Sequence, residues 1–143
     1  MNLESFLAKK YIYLQELNRI MQDISLLTQL AMFLGLAGGA GVFVWIGLVI
    51  YLKIKWLLIL EDKLDDGVRF YSLNIFLAGQ GVLQYGAVFL SSFHANRYSM
   101  LEKREDVPRY VQKLFIFSLI WFLVSGLFMV AGFAIFKIYI KPD

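Results

Sequence analysis

Between Asp23 and Lys53 the chain runs for 29 residues without a charge. Its middle, LAMFLGLAGGAGVFVWIGLVIYL, is apolar at every helical angle. A helix needs about 20 such residues, rising about 1.5 Å each, to cross a hydrocarbon layer of about 30 Å. A buried helix of a soluble protein can be as apolar but is rarely as long. The pattern predicts a first membrane helix over 28–58. Tyr51, Lys53, Lys55 and Trp56 close it, residue types that settle at the membrane–water boundary.

Three other patterns flank this one. Over residues 1–27, Leu3, Phe6, Leu7, Leu14, Leu17, Met21 and Ile24 recur at helical spacing, with Glu4, Gln15, Asn18, Arg19, Gln22 and Asp23 opposite. That spacing predicts an amphipathic helix. Its charges balance, whereas a surface-seeking membrane helix carries a Lys/Arg-rich polar face. The expectation is a helix packed on protein, foremost as a cap on its own bundle, or else lying loosely at the interface. Residues 70–93 hold 24 uncharged positions interrupted by Asn74, Gln80 and Gln84, and predict a second span or an interfacial helix. Residues 107–140 predict a long helix containing a last span, with 23 uncharged residues from Leu114 to Phe136. Pro108 is tolerated in its first turn. The fold class expected is an all-α membrane protein, an N-terminal amphipathic helix followed by three, alternatively two, transmembrane helices in a single membrane domain.

Small residues punctuate the apolar runs. Gly35 and Gly39 form a GxxxG pair, with Gly38 and Gly41 beside them, and Ser118, Ser125 and Gly132 repeat every seven residues. Small residues let helix backbones approach closely in lipid, where no hydrophobic effect drives helices together. Both stripes are candidate helix-packing positions. In the middle segment Asn74, Gly81, Gln84 and Tyr85 gather on or beside one helical face, a polar seam that must find partners away from lipid.

Charge changes the picture only at the ends of the apolar runs. The net charge is +3, and there is no basic stripe of the kind that binds nucleic acid. With three spans, Lys and Arg number eight on the side of the N-terminus and six on the other. That distribution places the N-terminus in the cytoplasm by the positive-inside rule. With two spans, nine lie in the 53–113 connection and five in the tails, which reverses the orientation. The uncharged length of 70–93 favours three. The first apolar run is too long for a cleaved signal peptide and reads as an uncleaved anchor. The acidic EDKLDDG segment reads as a solvated loop, since its spacing is not that of a calcium loop.

Little chemistry is on offer. With no cysteine and one histidine, there is no thiolate metal site and no Cys nucleophile, and no metal or cofactor is expected. The motifs of serine hydrolases, zinc proteases, nucleotide-binding loops and dinucleotide-binding folds are missing. His94, Arg97 and Arg104 are candidates for contact with lipid headgroups.

The stretch 95–128, ANRYSMLEKREDVPRYVQKLFIFSLIWFLVSGLF, resembles the C-terminal half of the universal stress protein B family, through Arg97, Tyr98, Arg109 and Phe115. The resemblance implies a small protein of the bacterial inner membrane with two membrane helices, and brings no catalytic residues. The function expected is non-enzymatic: an accessory, assembly or stabilising subunit of a larger membrane complex, or a small homo-oligomer. Its partners would be membrane lipids and other membrane subunits or itself. The alternative is an oligomeric pore or small, holin-like transporter around the polar seam, and the third reading is a lipid-headgroup-binding protein.

Overall fold

A computed structural model describes residues 3–140, with the side chains of 3–5 and 140 outside the description. Leu3 and Glu4, named above, therefore carry no side-chain account. All regular elements among the described residues are helical: α1 (Leu3–Leu52), a π-helical turn (Lys53–Leu57), α2 (Leu58–Leu64), α3 (Ile75–Leu90), α4 (Ser92–Arg97), a 3-10 turn (Lys103–Asp106), α5 (Arg109–Ile135) and a second π-helical turn (Phe136–Ile140). Two helical stretches, Phe6–Leu64 and Arg109–Tyr139, are long and apolar enough to cross a membrane. Only 17% of the most apolar window in either is buried within the molecule, unlike the core helix of a soluble protein.

The chain divides into two compact units, 1–37 with 127–143, and 38–126. In the first, α1 carries the N-terminal amphipathic pattern without interruption: no Gly or Pro stands between Asp23 and Ala31, and the Thr28 hydroxyl donates back to the Ile24 carbonyl at 2.8 Å within the helix and does not cap a new one. A separate helix ending at residue 27 is therefore not formed. Nor is it a cap: Phe6, Leu7, Leu14, Leu17, Met21 and Ile24 are all 42–58% exposed. The packing contact in this unit is at Gly132. A Cβ there would lie 2.8 Å from the Ala31 carbonyl oxygen and 2.9 Å from the Gly35 nitrogen.

In the unit 38–126, the end of α1 runs antiparallel to α5. Trp121 Nε1 donates to the Gly41 carbonyl at 2.9 Å, Trp45 lies 4.5 Å from Phe122, and Trp56 lies 5.5 Å from Tyr110. Gly41 sits on Ser125, where a Cβ would collide with the Ser125 side chain. α3 packs onto both partners: Gly79 faces the Trp45 ring and Gly86 faces the backbone of Phe115. The core gathers Leu52, Leu57, Leu60, Leu64, Val82, Tyr85, Val88, Val111 and Phe115.

α3 has 16 residues, fewer than the about 20 that a span requires. Its start is fixed by Asn74, whose side chain accepts from Leu77 N at 2.9 Å, an N-cap. Its end is fixed by Ser91, which leaves the helix in extended conformation and accepts from His94 N to open α4. The segments before and after α3 come back to each other. Lys103 Nζ donates to both carboxylate oxygens of Asp66 at 2.7 Å, and Lys63 Nζ donates to the Asp106 carbonyl at 3.0 Å. Pro108 delays α5, which starts at Arg109 and not at 107. Gln112 Nε2 staples the turn by donating to the Arg104 and Val107 carbonyls, both at 2.8 Å.

Candidate functional site

Three places stand out in the unit 38–126, two polar and one apolar. The first is where α2 ends. Leu57, Leu60, Glu61 and Leu64 fall at i, i+3, i+4 and i+7, the inward face of a helix. Glu61 is thus carried inside, 0% exposed, which corrects the reading of EDKLDDG as a wholly solvated loop. Its Oε1 accepts three backbone N–H groups, Phe70 at 2.9 Å, Tyr71 at 2.5 Å and Ser72 at 3.0 Å. Its Oε2 is buried with no partner. A carboxylate enclosed this way is tolerated only because amides satisfy it. The turn that brings those amides round uses left-handed backbone at Asp66 and Gly67 (φ 54° and 82°), and Gly67 N closes on the Glu61 carbonyl at 3.1 Å.

Around Glu61 stand two phenols. Tyr85 Oη donates to Asp65 Oδ2, and Tyr71 Oη donates to Gln84 Oε1 at 2.6 Å. The Tyr71 ring covers Gly81, where a Cβ would lie 2.6 Å from it. The four residues of the polar seam are therefore placed as follows: Asn74 caps α3, Gly81 receives a ring, and Gln84 and Tyr85 bond to the segment before the helix. Gln84 and Tyr85 thus tie α3 to Tyr71 and Asp65 in the segment that follows α2. A small cavity of about 320 Å³ opens beside it, lined by Asp65, Val68, Phe70 and Tyr71.

The second place is a cavity of about 650 Å³ at the foot of α5, lined by Arg104, Arg109 and Lys113 with Glu105, over Phe89 and Ile116. Arg104 is anchored there, donating to Ser92 Oγ at 3.1 Å and the Val88 carbonyl at 3.4 Å. His94 and Arg97 do not line it: they are exposed on α4, where His94 stacks 6.3 Å from both Phe93 and Tyr98. The three candidate headgroup residues thus separate, and Arg109 and Lys113 join Arg104 instead. The third place is an apolar cavity of about 570 Å³ between Trp45, Ile46, Val49, Ile75, Phe76 and Leu83. The Trp45 indole N–H is buried without a partner.

The packing stripes are divided between the two units. Gly35 meets Gly132, Gly41 meets Ser125, and Gly38 is buried, while Gly39 has open space around it. Ser125 Oγ donates to the Trp121 carbonyl at 2.8 Å. Ser118 is fully buried with no partner for its hydroxyl. Among the described residues no group of three His, Cys, Asp or Glu is placed to hold a metal ion.

Sequence reasoning missed Glu61 as an enclosed group and the pairing of Arg104 with Arg109 and Lys113. The first was signalled by the helical period of Leu57, Leu60 and Leu64, which continues through Glu61. The second had a fainter signal, the i, i+4 spacing of Arg109 and Lys113, with nothing to bring Arg104 to them. Comparison with family models, curated proteins and solved structures finds no match to this chain.

Proposed function

We propose that this is a small, non-enzymatic integral membrane protein whose work is association through helices, as an accessory or stabilising subunit of a larger membrane complex or with a second copy of itself. The observation that carries this reading is the uncovered apolar face of α1 from Phe6 to Ile24. A helix face of this kind, with balanced charge, suits another protein helix better than an anionic lipid surface. Gly39, with nothing within 4 Å of its Cβ position, offers a second place for close approach. The engaged amides of the seam support packing there over conduction. The resemblance of residues 95–128 supports a bacterial inner membrane as its location.

The reading includes a topology of two spans, with α3 dipping into the membrane and returning. What supports it is the 2.7 Å contact of Lys103 with Asp66, which needs both ends of α3 on one side. The 53–113 connection then carries nine of the 14 Lys and Arg and faces the cytoplasm. The chain lacks cysteine, so single cysteines report cleanly. Val68→Cys and Asn96→Cys should label from the same side, and Gln15→Cys from the other. Labelling of Val68→Cys and Asn96→Cys from opposite sides would establish three spans.

Association is tested in whole membranes. A photo-crosslinking residue at Leu17 should yield a discrete protein adduct, and Leu17→Glu with Met21→Glu should remove that protein from gentle detergent extracts by tenfold or more. The protein itself should stay in the carbonate-washed pellet. Adducts with lipid alone, or unchanged recovery of the partner, would end the subunit reading.

A further inference from the structure

We infer that the cavity at the foot of α5 binds the phosphate of an anionic phospholipid, with Arg104, Arg109 and Lys113 as its cationic walls. Three cations and one acid line it, yet none of the four forms an ion pair among the described residues, where the ion pairs are Arg69–Asp62 and Lys103–Asp66. Like charges crowded into one concavity repel each other, and a bound anion removes that cost. The cavity is open, so the site is reached without unfolding anything.

Its two halves differ in polarity as a lipid does. Arg109 and Lys113 sit one helical turn apart at the start of α5, and the uncharged run begins at Leu114. Phe89 and Ile116 form the apolar side. A headgroup phosphate held by the cations leaves its acyl chains directed along the apolar surface of α5, where Phe117 and Ile120 are exposed. Arg104 is pre-oriented: its bonds to Ser92 and Val88 hold the guanidinium in place, and the bonds from Gln112 fix the turn that carries it. An anchored guanidinium loses little further freedom when it meets phosphate. The inference rests on the two-span reading, which puts this cavity at the cytoplasmic leaflet, where basic pockets between helices meet anionic headgroups.

Full-length protein in nanodiscs of mixed phosphatidylglycerol and phosphatidylcholine tests it, with retained lipid counted by native mass spectrometry. Phosphatidylglycerol should be retained in clear excess. Arg109→Gln with Lys113→Gln should lower that excess about tenfold, and Lys137→Gln, which does not line the cavity, should not. Neither Arg109 nor Lys113 makes a side-chain hydrogen bond or ion pair among the described residues, so the double variant should keep its helicity. Equal retention of the two lipids, or no change in the double variant, would overturn the inference. A second arm adds inorganic phosphate or glycerol phosphate in excess: if either stabilises the protein as much as phosphatidylglycerol does, the ligand is a soluble phosphate and the lipid assignment is wrong. Carbonate extraction of the same membranes separates the two failures, since loss from the pellet sinks the membrane reading and unselective lipid retention sinks only this site.

Discussion

Glu61→Ala should lower the stability of the detergent-solubilised protein by about 3 kcal/mol, the larger share of it from the 65–74 segment coming loose. One carboxylate oxygen satisfies three backbone amides, and each amide left unpaired in a partly buried place costs about 1–3 kcal/mol. Some of that is recovered, because water reaches the exposed end of the segment and because an enclosed charge is no longer carried. Glu61→Gln should cost only about 1 kcal/mol, since it keeps an oxygen for the amides and replaces the oxygen that has no partner. Denaturant titration followed by circular dichroism gives the first number, and limited proteolysis between Asp66 and Asn74 locates it. Wild-type protein and Glu61→Ala unfolding together would show that the amides find equivalent partners without the carboxylate.

Gly132→Leu should be as damaging, by about 3 kcal/mol, through a different cause. A Cβ there meets backbone, the Ala31 oxygen at 2.8 Å and the Gly35 nitrogen at 2.9 Å, and backbone cannot rotate aside as a side chain can. Overpacking of this kind costs about 1–3 kcal/mol, and a branched side chain adds to it. Gly39→Leu provides the contrast. Nothing lies within 4 Å of its Cβ position, so the monomer should unfold as wild type does while recovery of an associated chain falls. The same glycine-to-leucine change thus separates contacts inside the molecule from contacts outside it. Equal unfolding midpoints for Gly132→Leu and Gly39→Leu would remove that distinction.

The long apolar helices were legible because membrane length and uncharged composition are properties of a contiguous stretch. The small-residue stripes were legible for the same reason, as periodic positions on one helix. What a periodic pattern cannot say is which small residues meet the same chain: the Gly35 backbone lies against Gly132, while nothing of the chain lies at the Cβ position of Gly39. The amphipathic N-terminus was readable as a helix, and its covering was not: whether a face is covered depends on where the chain turns, and no turn signal stands between Asp23 and Ala31. The uncharged 70–93 stretch had the length of a span. Its ends are cut short by Asn74 and Ser91, whose side chains compete for backbone amides, and this local chemistry outweighs apolar length. The cationic cavity was not readable, because Arg104 reaches it only after the 3-10 turn and Pro108 have set the direction of α5.

The contact of Lys103 with Asp66 also sets an order of events. During synthesis Asp66 emerges 37 residues ahead of Lys103, so the loop between them stays open until its closing residue exists. α1, α2 and the amides of Phe70 to Ser72 that Glu61 accepts are already made at that point. α3 is too short to be inserted as a span in its own right, and its seating depends on surfaces that α5 supplies at Phe115 and Leu119. Its docking therefore follows the synthesis of that part of α5.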